Sequence, residues 1–307
     1  MTASILNRLP RIHIAKETGF IGQCISLLQD IQNAASRERL FQEVNSWLEA
    51  EQWSARATET QFQTFCVRHD IQGPRAFLHY VWQLDSPVPW EELEFIGDNT
   101  PLYVTCIPAL LSFFPEARFI HMVRDPRDVI CSVVKMRFGA DDVIVAALEW
   151  HQTIGCWLMA ERLIDSQRRI ECHYETLCEL PTEALGKLAQ FLGRDPSDAN
   201  AAIGLEASGL KSFPTSFDKV AELPHHARLS QPLNTHRIGR YRTELSHREI
   251  DSIEAILQNG MLAYGYQPEA WQSGPLSRED RLQITLAMVR DLIKRSWKRL
   301  MRRKPQK

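Results

Sequence analysis

Residues 117–136 read ARFIHMVRDPRDVICSVVKM, in which Arg124, Asp125, Arg127 and Asp128 stand between two apolar runs. An arginine fork offers paired N–H donors matched to phosphate, and a helix start offers free backbone N–H groups, so this junction suits an anion. The same four residues can instead pair among themselves, and the local pattern leaves both readings standing. A second charged knot, KETGF at 16–20, follows a short apolar stretch, and its Glu17 has the chemistry of a general base. Glu17 can equally be a surface residue paired with Lys16 or capping the next helix. His13 is a further candidate base, although Ile12 and Ile14 on either side suit an ordinary strand histidine.

These residues need elements to hold them. Phe119–Val123 is nearly continuous in apolar character and bounded by Pro115 and Pro126, the pattern of an interior parallel strand buried on both faces. Val129, Ile130, Val133 and Val134 then recur at helical spacing. Asp125 is placed as N-cap, Pro126 suits the first helical position, and Asp128 adds a carboxylate at the positive end of the dipole. Arg124 therefore falls at the carboxyl end of a strand, where open parallel sheets place their ligand crevices.

Elsewhere TASILNRL and IGQCISLLQDI read as helices with PRIHIA as a strand between them. Residues 36–82 read as mostly helical with a break near Gln72-Gly73-Pro74. LEFIGDNTP predicts a strand entering a turn, followed by the helix LYVTCIPALLSFF. A long helix follows over about 141–165, with Ile144, Leu148, His151 and Trp157 on one face. RRIECHYETL supplies another strand, and PTEALGKLAQFLG a helix ending at Gly193. Alternation of strands and helices implies a mostly parallel sheet covered on both faces.

The chain has 307 residues, 44% of them hydrophobic, and a formal net charge of −2, which gives no basis for nucleic-acid binding by the whole chain. The charge is uneven: residues 290–307 carry nine Lys/Arg against Asp291, a balance of +8 that leaves −10 on residues 1–289. From Ser277 onward Leu282, Leu286, Val289, Ile293, Trp297 and Leu300 recur at spacings of three to four, predicting a basic amphipathic helix. It either packs on its own domain or meets an anionic membrane surface or partner weakly through 290–307. Seven scattered cysteines show no C-x-x-C, so neither a disulfide framework nor a metal site is indicated. With no signal-peptide pattern and no 18-residue apolar run, the expectation is a soluble, cytoplasmic protein.

IHMVRDPRDVICS, with Arg124 and Ser132 eight apart, resembles the 3′-phosphate-binding signature of sulfotransferases that use 3′-phosphoadenylyl sulfate (PAPS). KETGFI (16–21), GDNTP (97–101), HYETL (173–177) with FLG (191–193), and IGRYRTELS (238–246) followed by YGY (264–266) agree with that family in order, over about residues 1–268. The resemblance implies an α/β fold in three layers, a mostly parallel sheet flanked by helices, of the P-loop nucleotide-hydrolase-like sulfotransferase type. It would occupy residues 1–272, with 273–307 as a separate tail. It implies that Arg124 and Ser132 hold the 3′-phosphate, with Arg240 near the same nucleotide and Arg127 beside it, which would distinguish this cosubstrate from ATP. It also implies that Glu17 takes the place of the catalytic glutamate found in members acting on protein tyrosines or carbohydrates.

The expected activity is transfer of a sulfuryl group from PAPS, without a metal, to a hydroxyl or amine on a carbohydrate, protein or small molecule. Residues 40–90 and 205–236 are the expected acceptor surfaces. Two departures stand out. GDNTP has Asn99 where many relatives have lysine. Relatives also begin with a strand and a G-x-x-R-S-G-T-T-like loop that cradles the 5′-phosphosulfate, whereas here Met1 aligns where that loop ends, and GLEASGLKS (204–212) is a poor substitute. The alternatives are a chain that is truncated or whose start is placed too late, or a degenerate, non-catalytic member that binds a nucleotide or partner. Tyr174, Glu175, Trp150 and Trp157 are expected to serve the fold.

Overall fold

The computed structural model describes residues 2–51, 53–136, 140, 142–197, 235–269 and the single positions 282, 285, 286 and 289. The expected basic tail, the 204–212 loop and most of 205–236 lie outside them, except that the four single positions are helical. The chain divides into two compact units. The first comprises Met1–His121, Met159–Ile170 and Leu180–Leu233; the second comprises Met122–Leu158, Glu171–Glu179 and Asn234–Lys307.

The first unit starts with helix α1 (Thr2–Leu6) and strand β1 (Ile12–Ala15), then helices α2 (Ile21–Gln29), α3 (Ala34–Ala50), α4 (Glu59–His69) and α5 (Gly73–Gln83). The predicted helical stretch 36–82 is broken twice. Asp70, in the left-handed region at φ 50°, closes α4 just before the expected break. The additional break, at 51–58, is fixed by Asn45, whose side-chain amide donates to Ala57 O and accepts from Ala57 N, both at 2.8 Å. Strand β2 (Phe95–Asp98), a 3₁₀ turn (Pro101–Cys106) and α6 (Ile107–Phe113) follow.

Apolar faces of α2 to α5 meet in one core: Ile21, Cys24 and Leu28 with Leu40, Val44, Leu48, Phe77, Leu78 and Val81. Phe41, Phe62 and Phe77 pack edge to face with centroids 5.2–6.0 Å apart, the arrangement favoured by the ring quadrupole. β1 and β2 pair in parallel with Ala15 opposite Asp98, so their carboxyl ends coincide and KETGF begins beside Asn99 and Thr100. Asn7 closes the other edge of β1, donating from its amide to Ile14 O (2.8 Å) and accepting from Ile14 N (2.5 Å).

Strand β3 (Phe119–Val123) pairs with β4 (Arg169–His173) in a second two-stranded sheet. The fold is α/β as expected, but the described strands pair two by two rather than in one sheet. Among the described residues no third strand joins either pair, and only Val123 of β3 is buried, not the whole strand on both faces. Helices α7 (Pro126–Val133), α8 (Val143–Ala160), α9 (Tyr174–Glu179) and α10 (Pro181–Phe191) follow, with α11 (Tyr241–Glu244) and α12 (His247–Ala263) in the second unit.

In that second unit Ile130 of α7, Ala146 and Ala147 of α8, and Ile253, Leu257 and Met261 of α12 form the core. Ser246 and Glu249 make a capping box at the start of α12. On α8 the buried face is Ile144, Ala146, Ala147, Ile154 and Trp157, while His151 is exposed, so the predicted stripe is rotated. No uninterrupted 18-residue apolar run occurs in it, yet Val143–Leu163 is long and apolar enough by length and composition to cross a bilayer. Its Ala146 and Ala147 pack against α7 and α12.

Gly19, at φ +55°, ends the turn from β1 to α2, and a Cβ there would collide with the Trp47 indole of α3. Gly19→Ala is therefore expected to destabilise the protein by about 2 kcal/mol or more, since it combines backbone strain with overpacking. Urea unfolding of the two proteins measures it.

Candidate functional site

Asp125 caps α7 as the sequence predicts, its carboxylate accepting from Arg127 N at 2.9 Å. Asp128 does more than complement the helix dipole. Fully buried, it accepts from Gly239 N at 2.7 Å and Tyr241 N at 3.0 Å, and lies 3.8 Å from Arg124 Nη2. Gly239 at φ +72° lets the backbone present both N–H groups to that one carboxylate. Burial raises the Asp128 pKa, while the Tyr241 and Gly239 amides and Arg124 pull it back.

This tie brings three of the predicted residues together. Arg124 donates to Arg237 O (2.6 Å) and lies over the Tyr174 ring at 4.4 Å. Arg240 donates through Nη2 to Ser132 Oγ at 3.0 Å, and Ser132 Oγ donates to Asp128 O at 3.1 Å. The Nε atoms of both Arg124 and Arg240 are buried without a hydrogen bond, but Arg240 Nε lies 3.6 Å from the Glu244 carboxylate, which leaves Arg124 Nε as the donor without a partner.

Arg127 departs from expectation, because its charge is satisfied inside the fold. Its guanidinium donates to Asp125 through Nε and Nη2 (3.0 and 2.7 Å), and through Nη1 to Glu254 (2.5 Å) and Gln267 O (3.2 Å), and it covers the Tyr241 ring. It is therefore set aside as an anion ligand. Glu175 supports the same junction, accepting from Asp125 N (2.9 Å) and from Tyr266 OH (2.9 Å). Trp157 is buried, but Trp150 only half-buried.

In the first unit Glu17 is an exposed residue at the end of β1, and the side chains beside it are tied down. Thr18 N and Gly19 N donate to Thr100 Oγ1 at 2.9 and 3.3 Å. Thr18 Oγ1 donates to Asp98, which also accepts from Trp82 Nε1 (3.0 Å) and Thr100 N (2.7 Å). Although Glu17 reaches the surface, the loop packed around its carboxylate partly screens it from water, which raises its pKa, with Asp98 and Glu51 adding like-charge repulsion. Burial also pushes Asp98 up to about 6, against the hydrogen bonds that favour its charged form.

His13 is buried, its Nε2 3.9 Å from Asp85 and without a hydrogen bond, and burial depresses it to about 4. Lys16 pairs with Asp85 at 3.2 Å rather than with Glu17. Asp98 and Asp128 were legible only as members of GDNTP and RDPRD; the partners that give them their roles are distant in sequence. Among the described residues no group of three His, Cys, Asp or Glu is placed to hold a metal, and all seven cysteines are free.

A family model described as Sulfotransferase family matches residues 1–198. Among solved structures, the sulfotransferase domain of the Synechococcus PCC 7002 olefin synthase superposes with a TM-score of 0.57 at 17% identity, covering 86% of this chain and 89% of that one. A sulfotransferase from Mycobacterium avium gives 0.46 at 12% identity over 88% and 74%. No curated protein sequence matches the chain.

Removing the Asp128 carboxylate should leave the buried Tyr241 N–H and the part-buried Gly239 N–H unpaired, so Asp128→Ala is expected to cost about 2–4 kcal/mol in chemical unfolding. Asp98 gives a signed pH effect. The folded protein keeps its proton up to about pH 6, whereas an unperturbed aspartate releases it near 3.8. The folded state thus binds more protons in that window, and wild-type stability relative to Asp98→Asn should fall as pH rises through it. Paired urea titrations at pH 4, 5, 6 and 7 test the sign.

Proposed function

The chain belongs to the sulfotransferase family, and from that premise we propose that it moves a sulfuryl group from PAPS to a hydroxyl or amine acceptor. The observation carrying this reading is the buried Nε donor of Arg124, which has no hydrogen-bond partner, beside a cluster in which Arg240 donates to Ser132 Oγ and Ser132 to Asp128 O. A buried donor without an acceptor is costly, and a phosphate would satisfy Arg124 Nε with a charge-assisted bond, the Arg240 guanidinium adding further N–H donors. The residues present therefore fit a 3′-phosphate, which Arg124, Arg240 and Ser132 would hold. PAPS, when bound, supplies the sulfuryl group on a phosphate leaving group. Glu17 takes the acceptor's proton, and its raised pKa brings it nearer to neutrality, where a general base works best.

Arg124→Ala should weaken binding of 3′-phosphoadenosine 5′-phosphate by roughly one to two decades, for a lost charge-assisted bond of about 1.5–3 kcal/mol. Adenosine 5′-phosphate, with nothing at that position, should bind as before. Equal losses for both ligands in calorimetry would make the arginine a fold residue.

Labelled PAPS incubated with a panel of carbohydrate, peptide and phenolic acceptors tests transfer directly. In that assay Glu17→Gln should lower kcat by about 10²–10⁴-fold with bisphosphate affinity unchanged, while His13→Ala retains most activity. Because only ionised Glu17 accepts a proton, the acidic limb of the kcat–pH profile should lie above that of an ordinary glutamate. A normal rate for Glu17→Gln would remove it from the mechanism.

A further inference from the structure

A directed chain of hydrogen bonds runs beneath the Glu17 loop. Ile21 N, the first amide of α2, donates to Tyr103 OH at 3.3 Å, and Tyr103 OH lies 2.6 Å from Thr18 Oγ1, which donates to Asp98. Each hydroxyl in such a chain both accepts and donates, so its direction is set by its ends. A backbone N–H can only donate, and an ionised carboxylate can only accept. The two remaining contacts of Asp98, from Trp82 Nε1 and Thr100 N, are also donors, so all its neighbours demand an acceptor.

Thr100 Oγ1 closes the ring by accepting from Thr18 N and Gly19 N. The residue after Glu17 is thereby held through both its amide and its hydroxyl, and the Ala15–Asp98 register brings the two strand ends together for this. Chains of this kind strengthen cooperatively, and a satisfied network selects one conformation.

We propose that Asp98 is a positioning residue for sulfuryl transfer, its carboxylate ending the chain from Ile21 N through Tyr103 and Thr18 and so fixing the loop that presents Glu17. This rests on the reading of Glu17 as the base. Asp98 touches no reacting atom; it restricts where the Glu17 backbone can stand. Displacement of a catalytic group by about 1 Å is enough to cost on the order of 10²-fold in rate. An amide at position 98 must turn an N–H toward one of the donors, whereas valine at position 18 removes the link while keeping its shape.

The test compares wild type with Asp98→Asn, Thr18→Val and Thr18→Ser by kcat, KM for PAPS, affinity for 3′-phosphoadenosine 5′-phosphate and amide hydrogen exchange. Asp98→Asn and Thr18→Val are expected to lower kcat by about 10–100-fold with bisphosphate affinity and KM within about threefold. Exchange at Thr18, Gly19 and Ile21 should accelerate at least tenfold while α12 amides keep their protection, and Thr18→Ser should restore both properties. If Asp98→Asn does not fold, Thr18→Val and its serine rescue carry the comparison. Wild-type kcat and exchange in Thr18→Val would overturn the proposal, as would a kcat loss that serine does not rescue. A wild type that neither binds the bisphosphate nor transfers label defeats the sulfotransferase reading instead, and exchange at Thr18 and Gly19 alone then upholds or overturns the clamp.

Discussion

The carboxylate of Asp128 has no exposure to water, and a buried charge of that kind persists only where donors surround it. Its donors come from Gly239 and Tyr241, more than a hundred residues along the chain. Folding of the second unit must therefore carry the IGRY segment onto the start of α7. Once it is there, Arg240 has little choice but to reach Ser132, one helical turn beyond Asp128 on the same helix. Arg124 is drawn in by the same carboxylate. The grouping of Arg124, Ser132 and Arg240 thus follows from satisfying one acid.

Asp98 plays a comparable part in the first unit, where three donors converge on it and the loop after β1 is tied to the loop after β2. The aromatic and aliphatic packing of α2 to α5 holds those ties in place. Trp82, which donates to Asp98, lies on α5, and Trp47 of α3 closes over Gly19 so tightly that no side chain fits there. In both units a carboxylate organises backbone and side-chain donors, and the residues with available chemistry sit beside it.

Two arginines three residues apart show how far local pattern reaches. Arg124 and Arg127 look equivalent in RDPR, yet Arg127 is enclosed by Asp125, Glu254 and Gln267 while Arg124 keeps an unpartnered Nε. Internal pairing is complete for Arg127, whereas Arg124 meets Asp128 at 3.8 Å and keeps a buried Nε without a hydrogen bond. The decision belongs to α12 and the segment after it, which deliver Glu254 and Gln267 to Arg127 alone.

Local signals in the sequence determined the elements: β3 and α7 with its Asp125 cap, β1 before KETGF, and the glycine that ends α10. Caps, prolines and apolar spacing act over a few residues, so a reader of the chain sees them directly. Order of motifs supplied the family and the trio Arg124, Ser132 and Arg240. Only the tertiary structure decided which charges are satisfied internally, which face of α8 is buried, how the strands pair, and that Asp98 and Asp128 are the organising acids. Each of those outcomes depends on partners tens to more than a hundred residues away, and the free energy of a buried charge is set by the donors that finally surround it.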